Sequence, residues 1–313
     1  MTHILKQHTM KIQGVWLPVI TPFINDEIDL ESFRHLIDFY IPKGISGIIA
    51  NGTTGESPVL SETEFEALAY KTVEYTNNRV PAFLGVGGNY TKEVVHKIKI
   101  AEKAGIQGIL SVSPYYNRPD QRGIYEHFKM ISENTSLPII LYNIPYRTGR
   151  NMENDTIFRL SELENIVGIK DASGNITQSL DLLANRPDNF SILTGEDNLF
   201  LTSLAHGADG GILASSHIYT EKFMEIYYLM LDNNHLHALQ IWNQLSRIIP
   251  LLFKEPNPAP LKYILQQQGL IQSGELRLPL VEISTNLKKE INQAMEFQFQ
   301  NTRSGELITS SFN

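Results

Sequence analysis

Pro138-Ile139-Ile140-Leu141-Tyr142-Asn143-Ile144-Pro145 is the stretch whose reading decides the fold. Its aliphatic residues follow one another without polar alternation, which suits a strand covered on both faces, as in a parallel sheet with helices outside. Outward from it the same unit recurs: a short β-prone run, a turn rich in Gly, Pro, Asn and Thr, then a segment with helical spacing. The other runs are Gly14-Phe23, Ile45-Gly52, Pro81-Gly88, Gly108-Pro114, Ile166-Ser173, Phe190-Asp197 and Gly210-Ser215. Alternating strands and helices imply an α/β fold with a parallel sheet. Eight units in about 220 residues fit a closed (β/α)8 barrel of the TIM type better than an open doubly wound sheet.

The helical partners carry their own signals. After the second run, Phe65, Leu68, Ala69, Thr72 and Val73 recur at helical intervals, and Ser61 with Glu64 reads as a capping box. After the third, Val94, Val95, Ile98 and Ala101 repeat the pattern and Gly105 is placed to end the helix. Between the last two runs there is room for a helix of only about ten residues near Asn198-His206. Beyond Thr220 only helix-like material remains: Lys222-Leu231, His235-Ile248, Pro258-Gln268 and Leu280-Phe297. The expected organisation is a catalytic barrel over 11–219, a C-terminal helical region over 220–297 and a loosely ordered polar tail over 298–313.

Composition narrows the class. With 42% hydrophobic and 19% charged residues, neither a disordered nor a fibrous reading is open. A formal charge of -8 gives no electrostatic reason to expect nucleic acid or an anionic membrane as partner. The absence of cysteine removes disulfides, thiolate metal ligands and cysteine nucleophiles together. No run approaches the roughly 20 apolar residues of a membrane span, and Met1 to Gln13 lacks the apolar core of a signal peptide, so the expected address is cytoplasmic.

In such a barrel the active site lies at the C-terminal ends of the strands, so the residues just past each run matter most. After the second comes Gly52-Thr53-Thr54-Gly55-Glu56, and after the fourth Pro114-Tyr115-Tyr116-Asn117-Arg118. The fifth ends in Tyr142 and leads to Arg147, and the sixth ends in Lys170. A lysine at the mouth of a buried strand either snorkels to water or is held there for use. An amine nucleophile must be neutral to attack a ketone, and burial at an apolar strand end lowers its pKa. The subsequent dehydration needs a proton shuttle, for which the hydroxyls of Tyr142, Thr53 and Tyr116 are suited. The Thr53-Thr54 turn offers donors for a carboxylate, and Arg147 a planar fork for a second one. Taken singly, a tight turn, a packed strand aromatic and a solvated loop cation explain the same residues. Their joint arrival on one barrel face with Lys170 favours chemistry.

The segments Gly52-Thr53-Thr54-Gly55-Glu56, Pro114-Tyr115-Tyr116-Asn117-Arg118-Pro119, Tyr142-Asn143-Ile144-Pro145-Tyr146-Arg147-Thr148-Gly149 and Gly168-Ile169-Lys170-Asp171 resemble the dihydrodipicolinate synthase family. Its relatives include N-acetylneuraminate lyase and keto-deoxy sugar acid aldolases. The resemblance spans almost the whole chain. It implies that Lys170 forms a Schiff base with pyruvate and that Tyr142 gives or takes the proton. It implies further that Thr53 and Tyr116 complete the relay, Tyr116 reaching a neighbouring subunit's site. Thr54 and Ile212 match pyruvate-binding positions, and Arg147 matches the residue that meets the carboxylate of the incoming aldehyde.

The implied reaction is condensation of pyruvate with L-aspartate 4-semialdehyde to 4-hydroxy-tetrahydrodipicolinate, on the route to diaminopimelate and lysine. It needs no metal and no organic cofactor, and the implied assembly is a homotetramer built as a dimer of dimers. Glu62 stands where lysine-inhibited members often carry histidine, with Ser57, Asn89, Glu93 and Tyr115 left to line an effector cleft, so lysine inhibition is not carried over.

Three other readings compete. One keeps the lysine chemistry with a sugar aldehyde. Another uses Asp171, Glu196 and Asp197 as carboxylate ligands of a divalent metal. The third is a binding protein on the same barrel, without covalent chemistry.

Overall fold

The computed structural model describes residues 11–296, so the expected tail over 298–313 lies outside the described residues. Eight parallel strands close into a barrel: Gly14–Leu17, Gly47–Ala50, Ala82–Gly85, Gly108–Val112, Ile139–Asn143, Ile166–Asp171, Ser191–Thr194 and Gly210–Ile212. Each lies within one of the eight runs read from the sequence. The first is much shorter than Gly14-Phe23: Pro18 has no N–H to donate, and past it Val19 N bonds to the Ile49 carbonyl at 3.0 Å before the chain leaves the barrel. The end of that run instead enters a two-stranded antiparallel ribbon, Phe23–Ile24 with Glu27–Ile28. Asn25 and Asp26 turn it with φ of 53° and 65°, the left-handed conformation that a two-residue hairpin needs.

The seam between the eighth and first strands is closed by two glycines. A Cβ on Gly210 would stand 2.0 Å from the Gly14 carbonyl oxygen, so no side chain fits there. Large aromatics fill the lower barrel in the same manner. Trp16 lies over Gly47 and Phe83 over Gly108, their register partners, and the two rings meet edge to face at 4.9 Å.

Alternation along the fifth strand is regular: Ile140 and Tyr142 belong to the barrel interior, while Ile139 and Leu141 pack in the layer between sheet and helices. The sixth strand breaks it. Ile166 and Ile169 both belong to the outer layer and Val167 to the interior, a spacing that simple alternation forbids. The register slips there, with Ile139 paired to Ile166 but Ile140 paired to Gly168. One extra residue in the sixth strand thus turns the next positions over, and Lys170 comes to lie beside Tyr142 on the inner face.

The helix Glu62–Thr76 begins with the expected Ser61/Glu64 capping box, and Thr91–Ala104 ends at Gly105 with φ of 84°. The connection before the eighth strand holds only Phe200–Ala205 after a short 3-10 turn. C-terminal helices occupy Thr220–Leu231, His235–Leu245, Ala259–Gln267 and 285–296. The last starts later than the expected Leu280, because the Ser284 hydroxyl accepts from Leu287 N and caps it there.

The C-terminal region is tied to the turn after the second strand. Lys262 and Glu56 form an ion pair at 2.5 Å with side-chain exposures of 0% and 1%. Lys262 also donates to the Glu275 carbonyl, and the Phe23 ring lies between Lys262 and Arg277, 4.2 and 4.4 Å from its centroid. Asn257 Nδ2 donates to Thr54 Oγ1 at 3.0 Å in a buried contact. Removing one member of a buried pair strands the other charge, so Lys262→Met should lower the unfolding free energy by about 3–5 kcal/mol in chemical denaturation. Glu56→Gln in the same chain should restore most of that loss. A double variant as unstable as Lys262→Met would show that the cost lies in packing instead.

Candidate active site

Lys170 sits at the upper end of the sixth strand with only 7% of its surface exposed. Its Nζ lies 4.4 Å from the centre of the Tyr142 ring, the residue it pairs with on the fifth strand. Burial pulls the amine down from 10.5 to about 8; Asp197 and Glu196 act against that and Arg147 with it. At pH 7 that leaves about one amine in ten neutral, against about one in three thousand for an unperturbed lysine. The side chain has room because the residue after the seventh strand is Gly195. A Cβ there would stand 2.6 Å from Lys170 Cε and 2.8 Å from its Cγ.

Burial pushes the Tyr142 phenol above its ordinary range, while Arg147 and the Thr53 side chain pull the other way. Tyr142 is therefore a neutral hydroxyl, able to donate and accept. Thr53 and Thr54 lie in a turn that Asn51 enters in the left-handed conformation, φ 54°, with its Nδ2 donating to the Gly85 carbonyl at 2.7 Å. Backbone bonds from Gly55, Glu56 and Ser57 back to Gly52 and Thr53 tighten it. Gly52, Thr53, Val112, Tyr142, Ile144 and Arg147 help to line a cavity of about 370 Å³ at the barrel mouth. Arg147, on the short helix Pro145–Thr148, also lines an adjoining space of about 660 Å³ with Gly195, Glu196 and Asn257.

Lys170, Tyr142, Thr53 and Arg147 are thus brought together, and Thr54 lies buried just behind Thr53. Ile212 is fully buried in the barrel interior, paired with Trp16. Tyr116 is not part of this group: it is 88% exposed, with φ of 68°, and Tyr115 lines the cavity instead. Glu62 is exposed and faces His96 at 3.3 Å.

The reading of Asp171, Glu196 and Asp197 as a metal set does not hold, since no three side chains of that type converge among the described residues. Asp171 accepts from Ser173 N and Ser179 Oγ, and Asp197 Oδ1 accepts from the backbone N–H and hydroxyl of Ser215 at 2.6 and 2.5 Å. Sequence reasoning missed Gly195, although its place at a strand end was a usable signal. It also missed Asn257, which lies 203 residues from the Thr54 it touches and has no local signature.

Gly195→Ala places a methyl group where the Lys170 stem runs. Turnover should fall at least about 100-fold, because the amine is displaced. Stability should change by no more than the roughly 1–3 kcal/mol of a local overpacking. Full turnover in a folded Gly195→Ala protein would contradict this placement of the lysine.

Comparison with known proteins places this geometry in a family. The model of the dihydrodipicolinate synthetase family matches residues 11–298. The chain is 58% identical over 284 residues to 4-hydroxy-tetrahydrodipicolinate synthase 2 of Clostridium acetobutylicum, covering 91% of this chain and 99% of that one. Among solved structures, the 4-hydroxy-tetrahydrodipicolinate synthase of Methylacidiphilum fumariolicum superposes with a TM-score of 0.91 at 39% identity, covering 95% of this chain and 99% of the other. A structure described as the first monomeric dihydrodipicolinate synthase variant matches with a TM-score of 0.90 at 36% identity, over 92% of this chain and 97% of that one. With the match running almost end to end, the chain belongs to the dihydrodipicolinate synthetase family.

Proposed function

We propose that the protein condenses pyruvate with L-aspartate 4-semialdehyde to 4-hydroxy-tetrahydrodipicolinate, through a Schiff base on Lys170. The observation that carries this reading is the buried, lowered-pKa amine of Lys170 beside the Tyr142 phenol. Neutral Nζ attacks C2 of pyruvate, and the carbonyl oxygen takes protons and leaves as water, giving the iminium. Loss of a C3 proton yields the enamine, with the iminium as electron sink. Its C3 attacks the aldehyde carbon, whose oxygen becomes the hydroxyl. The amino nitrogen of the semialdehyde then closes on C2 and expels Lys170. The bonds balance with release of one water and need neither metal nor organic cofactor.

In this scheme Tyr142 and Thr53 move the protons, Thr54 and the strand end at Ile212 hold the pyruvate carboxylate, and Arg147 holds the carboxylate of the aldehyde. Tyr116 serves a second subunit, a reading supported by its exposure and positive φ beside Tyr115, which lines the mouth. The proposed assembly is a homotetramer acting in the cytoplasm, on the lysine and diaminopimelate route. The relatives named above support the substrates; the pKa of Lys170 supports the mechanism.

Steady-state kinetics with pyruvate and a panel of aldehydes tests the substrate choice. Aspartate semialdehyde should exceed sugar aldehydes in kcat/KM by at least about 100-fold, since a site that makes charged hydrogen bonds to its substrate discriminates more strongly than apolar shape. A preference for sugar aldehydes would overturn the reading and leave the lysine chemistry standing.

A further inference from the structure

Arg147 rides on a single helical turn, Pro145–Thr148, which Gly149 ends at φ 73°. One turn is far too short for a helix to hold itself, so its position has to come from tertiary contacts. The Arg147 guanidinium lies over the ring of its own neighbour Tyr146, 5.5 Å from the centroid. That contact moves with the turn and does not anchor it.

The anchor lies at the end of the fifth strand. Asn143 follows Tyr142 there, is fully buried, and turns its side chain to the opposite side of the strand. Its amide stands in for a strand partner. Oδ1 accepts from Met152 N at 3.0 Å, and Nδ2 donates to Asn151 Oδ1 at 2.9 Å and to the Met152 carbonyl at 3.3 Å. The chain thus leaves the strand at Asn143 and comes back, nine residues later, to the Asn143 side chain. Residues 144–151 form a closed loop with both feet on one residue, and closing so short a loop at its base removes much of its conformational freedom.

Neighbouring elements brace the returning foot. Gln178, on the helix Ile176–Ala184 that follows the Lys170 strand, accepts from Asn151 Nδ2 and donates to the Met152 carbonyl, both at 2.8 Å. Gln121 Nε2 donates to the Asn151 carbonyl at 2.9 Å. Arg118 Nε donates to the Gly149 carbonyl at 2.8 Å, behind the Arg147 turn. Asn143 is itself fixed from the sixth strand, since its carbonyl accepts from Ala172 N at 2.9 Å. A buried polar network satisfied in this way is rigid.

We infer that Asn143 is a positioning residue for Arg147: by closing the loop 144–151 on its own side chain, with Gln178 as brace, it holds the guanidinium over the mouth where Lys170 and Tyr142 stand. The inference rests on the proposed function, in which Arg147 meets the carboxylate of the aldehyde. Asn143 acts through Arg147 and not on the substrate. Its side chain therefore belongs to the aldehyde half of the reaction, although its strand neighbour Tyr142 serves the pyruvate half.

The test is a double-mutant cycle in steady-state kinetics with pyruvate and aspartate semialdehyde. Asn143→Ala and Gln178→Ala are each compared in the wild-type and the Arg147→Ala background. In the wild-type background KM for the aldehyde should rise at least about 10-fold for Asn143→Ala and about threefold for Gln178→Ala, which leaves the loop closed but unbraced. KM for pyruvate should stay within about twofold of wild type. In the Arg147→Ala background neither substitution should move the aldehyde KM by more than about twofold, because the loop has no guanidinium left to place. Gln178 lies on an outer helix, so its variant decides the case if Asn143→Ala does not fold. A rise of the same size in both backgrounds, a raised pyruvate KM, a loss confined to kcat, or no change would overturn the assignment. Wild-type protein that makes no product from aspartate semialdehyde would instead overturn the proposed function, a result seen before any variant is made.

Discussion

A primary amine in an apolar barrel is tolerable only if it faces the one part of the interior that is not filled, and a single extra residue in the sixth strand arranges this. Without the slip between Ile166 and Gly168, period-two alternation would send Lys170 outward among the helices, where Ile169 packs. With it, the amine stands beside Tyr142 on the inner face. Burial at that point lowers its pKa, so the feature that sets its direction also sets its reactivity. Glycine serves both steps. Gly168 accommodates the irregular strand, while Gly195 leaves space for the lysine stem.

The rest of the molecule holds the surroundings of that amine in place. Trp16 and Phe83 fill the lower barrel, and a cavity of about 370 Å³ lies at the mouth. The Thr53-Thr54 turn has no regular secondary structure of its own, and its position comes from outside: Asn51 bonds to Gly85, Asn257 bonds to Thr54, and Glu56 pairs with Lys262. Asn257 donates to Thr54 Oγ1 and leaves the threonine hydroxyl free to donate in turn, the polarity that a carboxylate ligand needs. The C-terminal helices thereby act on the site without carrying Lys170.

Much of this was legible in the sequence, for physical reasons. Two-sided burial makes parallel strands read as continuous apolar runs, so all eight appeared, and the Ser61/Glu64 cap and Gly105 terminus depend on local chemistry alone. Lys170, Tyr142, Thr53 and Arg147 were found because strand ends in a barrel share one face. The ribbon at Phe23–Ile28 was hidden inside a run interrupted by Pro18 and Pro22. The bulge was hidden because its signal is one glycine among apolar neighbours. Glu56–Lys262 and Asn257–Thr54 join residues about two hundred positions apart, and no pattern in one sequence records such pairs. Tyr116 is exposed in a single chain, so its proposed role belongs to an assembly.

Borohydride reduction in the presence of pyruvate, across a pH series and coupled to peptide mass mapping, tests the central claim most directly. The account predicts one adduct, on the peptide that contains Lys170. Because the ammonium form loses its proton at about 8 instead of 10.5, the initial trapping rate should rise with pH and level off above about 8. Active protein with no adduct on Lys170, or with the adduct on another lysine, would contradict it.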